Sequence, residues 1–154
     1  TRAAGAVLIV NGSVELARAI DADGVHLGGT DGDLRAARIA LGPRKLLGAS
    51  CYERLSLAHE ALAAGADHVA FGSAYPSSTK PGAVRASLAL FREARTALTC
   101  PIVAIGGITA ANAPPLIAAG VDALAVITAL FGTLDASGPT ATEAAARSFT
   151  RLFP

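Results

Sequence analysis

The hydrophobic and polar positions repeat one pattern three times along the chain: a helix end, a tight turn containing an Asp, and a short apolar strand. The repeats are Ala19–Gly28, Ala63–Gly72 and Ala118–Ile127. Glycine in such a turn suits the left-handed residue that ends a helix, and the Asp can bond backbone N–H groups of its turn. Helix, turn and strand recurring in this way predict consecutive βα units and a parallel sheet.

On this basis the chain contains six βα units. The predicted strands lie near Ala6–Asn11, Gly24–Leu27, Leu46–Ser50, His68–Gly72, Pro101–Ile105 and Ala123–Ile127. The predicted helices lie near Ser13–Ile20, Asp33–Leu41, Arg54–Ala64, Ser87–Ala97, Ala111–Ala119 and Thr140–Leu152. The Gly132–Pro139 stretch is predicted to be a loop before the last helix, and the irregular spacing of the repeats argues against a solenoid.

Six parallel strands suit either an open doubly wound sheet or part of an eight-stranded barrel. An open sheet usually has its glycine-rich nucleotide loop after the first strand, whereas a barrel has its phosphate site after the last two strands. The glycine-rich loops here follow the fifth and sixth strands. We therefore expect residues 1–154 to form a single (β/α)₈ TIM-type barrel domain of which strands three to eight are present. The chain contains 0 Met, which agrees with a missing front end.

The composition of the chain indicates which classes of binding partner and which compartment to expect. The chain is 52% hydrophobic and 16% charged, with a formal net charge of +1 and no basic run, so neither nucleic acid nor a membrane surface is indicated. Mean hydropathy is +0.48, yet no apolar stretch approaches the ~18 residues of a membrane span. Two cysteines and the lack of a signal peptide predict a reduced, cytoplasmic compartment.

The strongest chemical signal is the polar loop that follows the fourth strand. Three consecutive hydroxyl residues, Ser77, Ser78 and Thr79, precede Lys80, and prolines stand on both sides. Hydroxyls and backbone amides bond phosphate oxygens, and lysine supplies a positive charge. The alternative is a solvated surface loop. Because loops at strand ends carry function in this architecture, we predict that the loop contacts phosphate.

Two later strand ends have related chemistry. Gly106 and Gly107 follow the fifth strand, and paired glycines let a backbone approach an anion closely. Taken alone, the pair is equally consistent with a tight turn. The sixth strand ends at Ile127 and Thr128 and enters a short helical segment, whose N–H groups would face the same place. Two adjacent strand ends of this kind match the phosphate site of a barrel.

The front half of the chain has weaker signals. Asp31, after the second strand, is a candidate Mg²⁺ ligand, whereas Asp33 is better placed as a helix N-cap. Asn11 and Ser50 end the first and third strands and can point into the barrel mouth. The remaining candidates are expected to be structural: Cys51 as a small core residue, His26 as a packed residue, His59 as a solvated residue, and His68 as a residue without a partner.

Together these segments resemble the thiamine phosphate synthase family. The resemblance rests on Asp23–Gly28, Tyr75–Lys80, Ala104–Thr109 and Ala119–Asp122, in that family's order and spacing, and runs from about Ala6 to about Phe131. Gly48–Tyr52 resembles one branch of the family, whereas many members have His in place of Tyr52. The resemblance implies a transferase of thiamine biosynthesis that joins a pyrimidine methyl diphosphate to a thiazole phosphate and releases diphosphate.

The resemblance also implies residue roles. Asp31 would bind Mg²⁺. The pyrimidine diphosphate would be contacted by Asn11, Ser50 and Lys80, with Lys80 and Ser50 acting in catalysis. The thiazole phosphate would be contacted by Ser77, Ser78, Thr79, Gly107, Ile127 and Thr128. Lys80 and Mg²⁺ would neutralise the departing diphosphate, and homo-oligomerisation is left open.

The sequence departs from the family pattern in two places. Gly12 stands where the family usually has a second Mg²⁺-binding Asp, and a segment that contacts pyrimidine and diphosphate on the second barrel strand is not present. Two alternatives therefore stay open: an enzyme similar to thiazole tautomerase, and a non-catalytic protein that binds thiazole phosphate. The family of the former uses a His at the position of Tyr52.

Overall fold

The computed structural model describes residues 2–76, 84–132 and 134–153, and the side chains of Arg2 and of residues 134–138 are left aside. It has an α/β fold whose six strands are hydrogen-bonded in the order β1-β2-β3-β4-β5-β6. The strands are β1 (Ile9–Asn11), β2 (Gly24–Leu27), β3 (Leu46–Tyr52), β4 (His68–Gly72), β5 (Ile102–Ile105) and β6 (Ala123–Ala125). The pairs β1–β2, β2–β3 and β5–β6 are parallel.

The helices alternate with these strands, as the recurring pattern predicts. They are α1 (Val14–Ala19), α2 (Leu34–Leu41), α3 (Leu55–Ala63), α4 (Leu88–Ala97), α5 (Pro114–Ala118), α6 (Thr128–Phe131) and α7 (Leu134–Thr150), after a short 3₁₀ helix at Arg2–Ala4. The Ser13 and Asp33 side chains accept from Leu16 N and Ala36 N, which confirms both predicted N-caps. No helix within the described ranges is long and apolar enough to cross a bilayer.

Several predicted boundaries were wrong. The first strand begins at Ile9 because the Leu8 N–H is donated to the Asp23 side chain of the next βα unit rather than to a neighbouring strand. The fifth strand begins at Ile102, since Pro101 has no N–H to donate. The sixth ends at Ala125, and Ile127 already has a helical backbone, with φ −115° and ψ −71°.

Two helix predictions also need correction. The fifth helix begins at Pro114 rather than Ala111, and prolines suit the first positions of a helix because no N–H donor is needed there. The stretch predicted as a loop before Thr140 instead belongs to α7, which begins at Leu134 and contains Pro139. Proline removes one helical donor there, so a Gly-Pro pair disfavours a helix without excluding it.

The chain divides into two compact units, Thr1–Ala70 and Phe71–Pro154. In the first, small and branched residues of β1, β2, β3, α1 and α2 form a buried cluster: Val10, Ala17, Ala22, Val25, Leu27, Ala37 and Leu47. In the second, Phe71 and Phe91 are fully buried and meet edge to face, with ring centroids 6.1 Å apart. Each unit thus has its own apolar core.

The repeated Asp has a different role from the one predicted. Asp23, Asp67 and Asp122 do not cap their own turns; each carboxylate accepts a backbone N–H within one residue of the start of the preceding strand. The donors to Asp23, Asp67 and Asp122 are the N–H groups of Leu8, Leu47 and Ile102 respectively, each at 2.7 Å. In return, the backbone N–H of each Asp is donated to the carbonyl of its strand partner, Leu8, Leu47 or Ile102. We call these reciprocal pairs the aspartate braces; they fix where neighbouring strands begin.

Arginines support two of the braces. Arg38 bonds Asp67 and the carbonyls of Gly42, Lys45 and Gly65 in the first unit. In the second unit, Arg95 bonds Asp122 at 2.8 Å and the carbonyls of Leu98 and Cys100. Gly65 and Gly120 have φ +99° and +93°, as predicted for helix-ending residues. Each guanidinium therefore ties a helix to a brace.

Candidate functional site

The carboxyl ends of the first three strands carry the polar residues predicted for the first unit. Asn11 is the exposed last residue of β1, Ser50 lies half-buried in β3, and Asp31 lies in the loop after β2. Because β1, β2 and β3 are parallel neighbours, these ends share one edge of the sheet. The structure thus places Asn11, Ser50 and the loop of Asp31 at this edge, and their binding roles stay predictions.

Asp31 is held by its own loop and lies beside Gly12. Its Oδ2 accepts the Gly28 N–H at 2.7 Å. A Cβ built on Gly12 would lie 3.5 Å from the same oxygen. Gly12 has φ +80°, and its N–H is donated to the His26 carbonyl at 2.9 Å. The residue that stands in place of a family Asp is thus next to the predicted metal ligand.

The donor set around Asp31 suits a cation that shares substrate oxygens. Within residues 2–76, 84–132 and 134–153 no group of three or more His, Cys, Asp or Glu side chains is arranged for a metal. One oxygen of Asp31 already accepts a backbone N–H. Mg²⁺ commonly binds through one or two carboxylates while waters and phosphate oxygens complete its octahedron. Asp31 fits that role and does not fit a closed, all-protein metal site.

A cluster of two histidines and one serine extends behind the strand ends. His26 Nε2 lies 2.9 Å from Ser50 Oγ, and His26 Nδ1 lies 3.4 Å from His68 Nε2. The rings of His26 and His68 are tilted by 30°, with centroids 5.5 Å apart. The prediction that His68 has no partner was therefore wrong. His26, predicted to be packed, is half-buried and hydrogen-bonded.

Burial keeps both histidines neutral near pH 7. It lowers the pKa of His26 from 6.5 to about 4, with a further lowering by His68 and an opposing effect of Asp31. Burial also lowers the pKa of His68, opposed by Asp67. A neutral imidazole has one N–H and one lone pair, so each ring can pass a hydrogen bond from one neighbour to the next.

Gly48 makes room for this cluster. It is the residue of β3 opposite His26 in the parallel register. A Cβ at position 48 would lie 2.1 Å from His68 Nε2 and 2.5 Å from His26 Nδ1. A glycine opposite a histidine on a predicted neighbouring strand, with a serine two positions further along, is the signal that sequence reasoning passed over.

Tyr52 closes the same edge of the first unit. It has φ +53°, which is uncommon for a residue with a Cβ, and its side-chain oxygen accepts the Gly29 N–H at 3.0 Å. A Cβ on Gly29 would lie 3.2 Å from that oxygen. Tyr52 therefore orders the loop that contains Asp31.

In the second unit, the paired glycines after β5 pack against residues 73–76. Tyr75 N is donated to the Gly106 carbonyl at 3.0 Å, and Ala74 N to the Ile105 carbonyl at 2.9 Å. A Cβ on Gly107 would lie 2.2 Å from the Pro76 carbonyl oxygen. Gly106 and Gly107 are therefore required first because residues 73–76 approach their backbone closely, a requirement that the sequence did not reveal.

Asn112 holds the glycine turn in place, and sequence reasoning missed it. Its side chain donates to the Gly107 carbonyl at 3.0 Å and accepts the Thr109 N–H at 2.8 Å. Its own carbonyl accepts the Tyr75 hydroxyl at 2.7 Å. Four polar contacts between Asn112, Thr109, Gly107 and Tyr75 therefore fix one shape of the turn.

The other residues predicted for phosphate divide into two groups. Ile127 and Thr128 are exposed at the start of α6, which follows β6. In the sheet, β6 is paired with β5. Gly107 follows β5, so the second unit brings the ends of its last two strands side by side. Ser77, Ser78, Thr79 and Lys80 lie outside the described residues.

Comparison with known proteins gives a consistent set of relatives. The family model described as thiamine monophosphate synthase matches residues 1–130. The chain is 59% identical over 146 residues to the thiamine-phosphate synthase of Methylobacillus flagellatus, covering 95% of this chain and 66% of that protein. It is 60% identical over 132 residues to that of Azoarcus sp., covering 86% and 64% respectively. The chain thus spans just under two thirds of the length of these curated relatives.

A solved structure agrees with the sequence relatives. A thiamine phosphate pyrophosphorylase from Pyrococcus furiosus superposes with a TM-score of 0.85 at 36% identity. The superposition covers 100% of this chain and 72% of that one. The similarity therefore includes both units and every strand and helix described above.

Proposed function

The chain belongs to the thiamine monophosphate synthase family, and on that premise we propose that the protein joins a pyrimidine methyl diphosphate to a thiazole phosphate and releases diphosphate. The observation that carries the proposal is the pair of polar strand ends, one in each unit, in a chain 59% identical to a thiamine-phosphate synthase. The two alternatives, a tautomerase-like enzyme and a non-catalytic binding protein, are less well supported, because the relatives named above are synthases or pyrophosphorylases.

We assign the first unit to the pyrimidine diphosphate. Asn11 and Ser50 are proposed to bind it, and Asp31 is proposed to hold Mg²⁺ through the oxygen that does not accept from Gly28. Bound Mg²⁺ would supply positive charge to the diphosphate. Support comes from the shared edge on which these three side chains lie and from the hydrogen bond that orients Ser50.

We assign the second unit to the thiazole phosphate. Gly107, Ile127 and Thr128 are proposed to contact the phosphate together with Ser77, Ser78 and Thr79. Support comes from the adjacent ends of β5 and β6 and from the Asn112 contacts that keep one turn geometry. An inorganic phosphate or sulfate soaked into crystals is expected near Gly107 and Thr128. An anion found elsewhere, with this position empty at millimolar phosphate, would contradict the assignment.

The proposed chemistry needs charge stabilisation more than proton transfer. The bond between the pyrimidine methyl carbon and diphosphate oxygen breaks, with its electron pair leaving on diphosphate. The thiazole nitrogen then forms a bond to the same carbon. Lys80 is proposed to stabilise charge on the leaving group, and a lost contact of that kind costs roughly 10²-fold in kcat.

A steady-state assay tests the activity and Lys80 together. The complete protein is given both substrates and Mg²⁺, and thiamine phosphate and diphosphate are quantified. Lys80→Ala is expected to lower kcat by about 10²-fold or more while the affinity for thiazole phosphate changes little. Lys45→Ala, which removes a lysine before β3 that bonds Asp21 and the Ala22 carbonyl, is the matched control. No product from the wild-type protein would refute the proposed function.

Position 12 gives a separate test of the metal assignment. Asp at this position would place a second carboxylate beside Asp31, since the built Cβ is 3.5 Å from Asp31 Oδ2. We expect Gly12→Asp to lower the Mg²⁺ concentration needed for half-maximal rate. Gly12→Asn has the same shape and the same strain at φ +80° without the charge, so it is the control. Identical Mg²⁺ titrations for Asp and Asn would refute the assignment of Asp31.

The arrangement of six consecutive βα units further supports a barrel. We propose that they correspond to strands three to eight of a (β/α)₈ barrel. The support is the chain-order sheet and the match to a longer pyrophosphorylase chain, of which 72% is covered. A cytoplasmic location is a further proposal, since two cysteines in a domain of this size do not make a disulfide scaffold.

A further inference from the structure

Three side chains of the first unit form a line of hydrogen-bonding atoms, and the two histidines in it have no role in the function proposed above. His68 Nε2 faces His26 Nδ1 at 3.4 Å, and His26 Nε2 faces Ser50 Oγ at 2.9 Å. The line ends at Ser50, which lies on the edge assigned to the pyrimidine diphosphate. Gly48 leaves the space in which the two rings meet, because a Cβ there would overlap both.

Neutral rings restrict this line to two proton arrangements. In one, His26 Nδ1–H is donated to His68 and His26 Nε2 accepts from the Ser50 hydroxyl. In the other, His68 Nε2–H is donated to His26 Nδ1, and His26 Nε2–H is donated to Ser50 Oγ. The two differ in one consequence: only the second leaves the Ser50 hydrogen available to another acceptor.

The substrate is chemically complementary to the second arrangement. A diphosphate has only acceptor oxygens, and pyrimidine ring nitrogens are acceptors as well. A Ser50 hydroxyl that is donated to His26 would offer lone pairs to these atoms and repel them. A Ser50 that accepts from His26 can donate to them. A preorganised donor of this kind is more effective than one that must reorient when the substrate binds.

We propose that His68 and His26 form a relay that holds the His26 ring in its Nε2–H tautomer, so that the Ser50 hydroxyl hydrogen is directed at an acceptor of the pyrimidine diphosphate. Both histidines are positioning residues that act through Ser50. The identity of the acceptor rests on the proposed function, whereas the tautomer is a property of the protein alone. The second histidine, on β4, is the part that sequence reasoning had excluded.

The tautomer is measured first, because it does not depend on activity. Protein labelled with ¹⁵N-histidine is examined by long-range ¹H–¹⁵N correlation NMR, with and without inorganic diphosphate and Mg²⁺. The expected spectrum has a protonated Nε2 and an unprotonated Nδ1 for His26, and a protonated Nε2 for His68, in both states. A protonated Nδ1 on His26 in either state would overturn the relay.

A double-mutant cycle on the complete protein then tests the action through Ser50. His68→Phe removes the donor and keeps a ring of similar size. It is expected to lower kcat/KM for the pyrimidine diphosphate about tenfold in the wild type and less than twofold in Ser50→Ala. His68→Gln, which keeps an N–H donor, is expected to recover most of the loss. The KM for thiazole phosphate is expected to stay unchanged.

Other outcomes separate the relay from a structural role and from the proposed function. An equal loss in the Ser50→Ala background, or an equal rise in the KM for thiazole phosphate, would mean that His68 only supports the fold. His59→Phe, the same exchange on the exposed face of α3, controls for the change of residue type. If the wild-type protein makes no thiamine phosphate, the proposed function fails, and the NMR result alone decides the relay.

Discussion

Gly48→Ala is the sharpest test of the packing around the two histidines. The added methyl group would lie 2.1 Å from His68 Nε2, 2.4 Å from His68 Cε1 and 2.5 Å from His26 Nδ1. Real Cβ atoms do not approach other heavy atoms this closely, so both rings must move. They have little freedom, since Gly48 itself is buried and each ring is half-buried.

The magnitude follows from two opposing effects. Overpacking a well-packed site by one methyl group costs typically about 1–3 kcal/mol. Replacing glycine by alanine restricts the unfolded chain and returns about 0.4–1 kcal/mol. The net loss therefore lies between about 0 and 2.6 kcal/mol, and its middle value of about 1.3 kcal/mol lowers the melting temperature of a chain of this size by roughly 3–5 °C.

Urea unfolding followed by circular dichroism gives the free energies. Gly48→Ala is measured alone and in a His68→Ala background, where the nearest conflict is removed and the His26 contact at 2.5 Å remains. The cost of the methyl group is expected to fall by about half in that background. Gly29→Ala, whose Cβ would meet only the end of the Tyr52 side chain at 3.2 Å, is the matched control. Equal costs with and without His68 would refute the reasoning.

Three further outcomes are expected. Burial lowers the pKa of His26 to about 4, so below pH 6.5 the unfolded chain binds more protons than the folded chain. The free energy of unfolding is therefore highest above pH 6.5 and declines toward pH 4. Acid unfolding titrations are expected to show a loss of the order of 2 kcal/mol, after allowance for partial exposure, and no such loss in His26→Phe. Arg95→Met loses the ion pair with Asp122 and two hydrogen bonds to carbonyls, and it is expected to lower the free energy of unfolding by about 1–3 kcal/mol in the same urea experiment. The control Arg147→Met breaks an exposed ion pair within a helix and is expected to lower it by less than about 0.5 kcal/mol. Gly107→Ala meets the Pro76 carbonyl at 2.2 Å and is expected to weaken phosphate binding at least about tenfold by calorimetry; an unchanged affinity would separate the turn from the phosphate site.

The order of the elements could be predicted from the sequence because it depends on local patterns. Apolar strands, capped helices and glycine turns recur every few tens of residues, and Ser13 and Asp33 cap helices as expected. Element ends were less predictable, because they depend on partners distant in sequence. The start of β1 is decided by Asp23, and a proline inside α7 is tolerated where local rules place a loop.

The positions of the candidate site residues were predictable from the sequence, whereas their contacts were not. Asp31 and Ser50 were expected on one sheet edge and lie there. The pairing of His26 with His68 joins positions 42 residues apart, and only the strand register reveals it. Asn112 was also missed, because its role consists of hydrogen bonds to a turn whose shape the sequence does not specify.

The aspartate braces give the chain a direction. Each carboxylate fixes the start of the strand that precedes it, across a separation of 15 residues for Asp23 and 20 residues for Asp67 and Asp122. The entropic cost of closing such a loop grows slowly with its length, by only about 0.6 kcal/mol for each doubling. During synthesis, which proceeds from the amino end at roughly 5–20 residues per second, a braced strand is therefore secured only once the following unit has emerged. Each of these strands therefore gains its hydrogen bonds to Asp only after the next βα unit has been synthesised. A pause in translation just before one of these aspartates would leave the preceding strand without them.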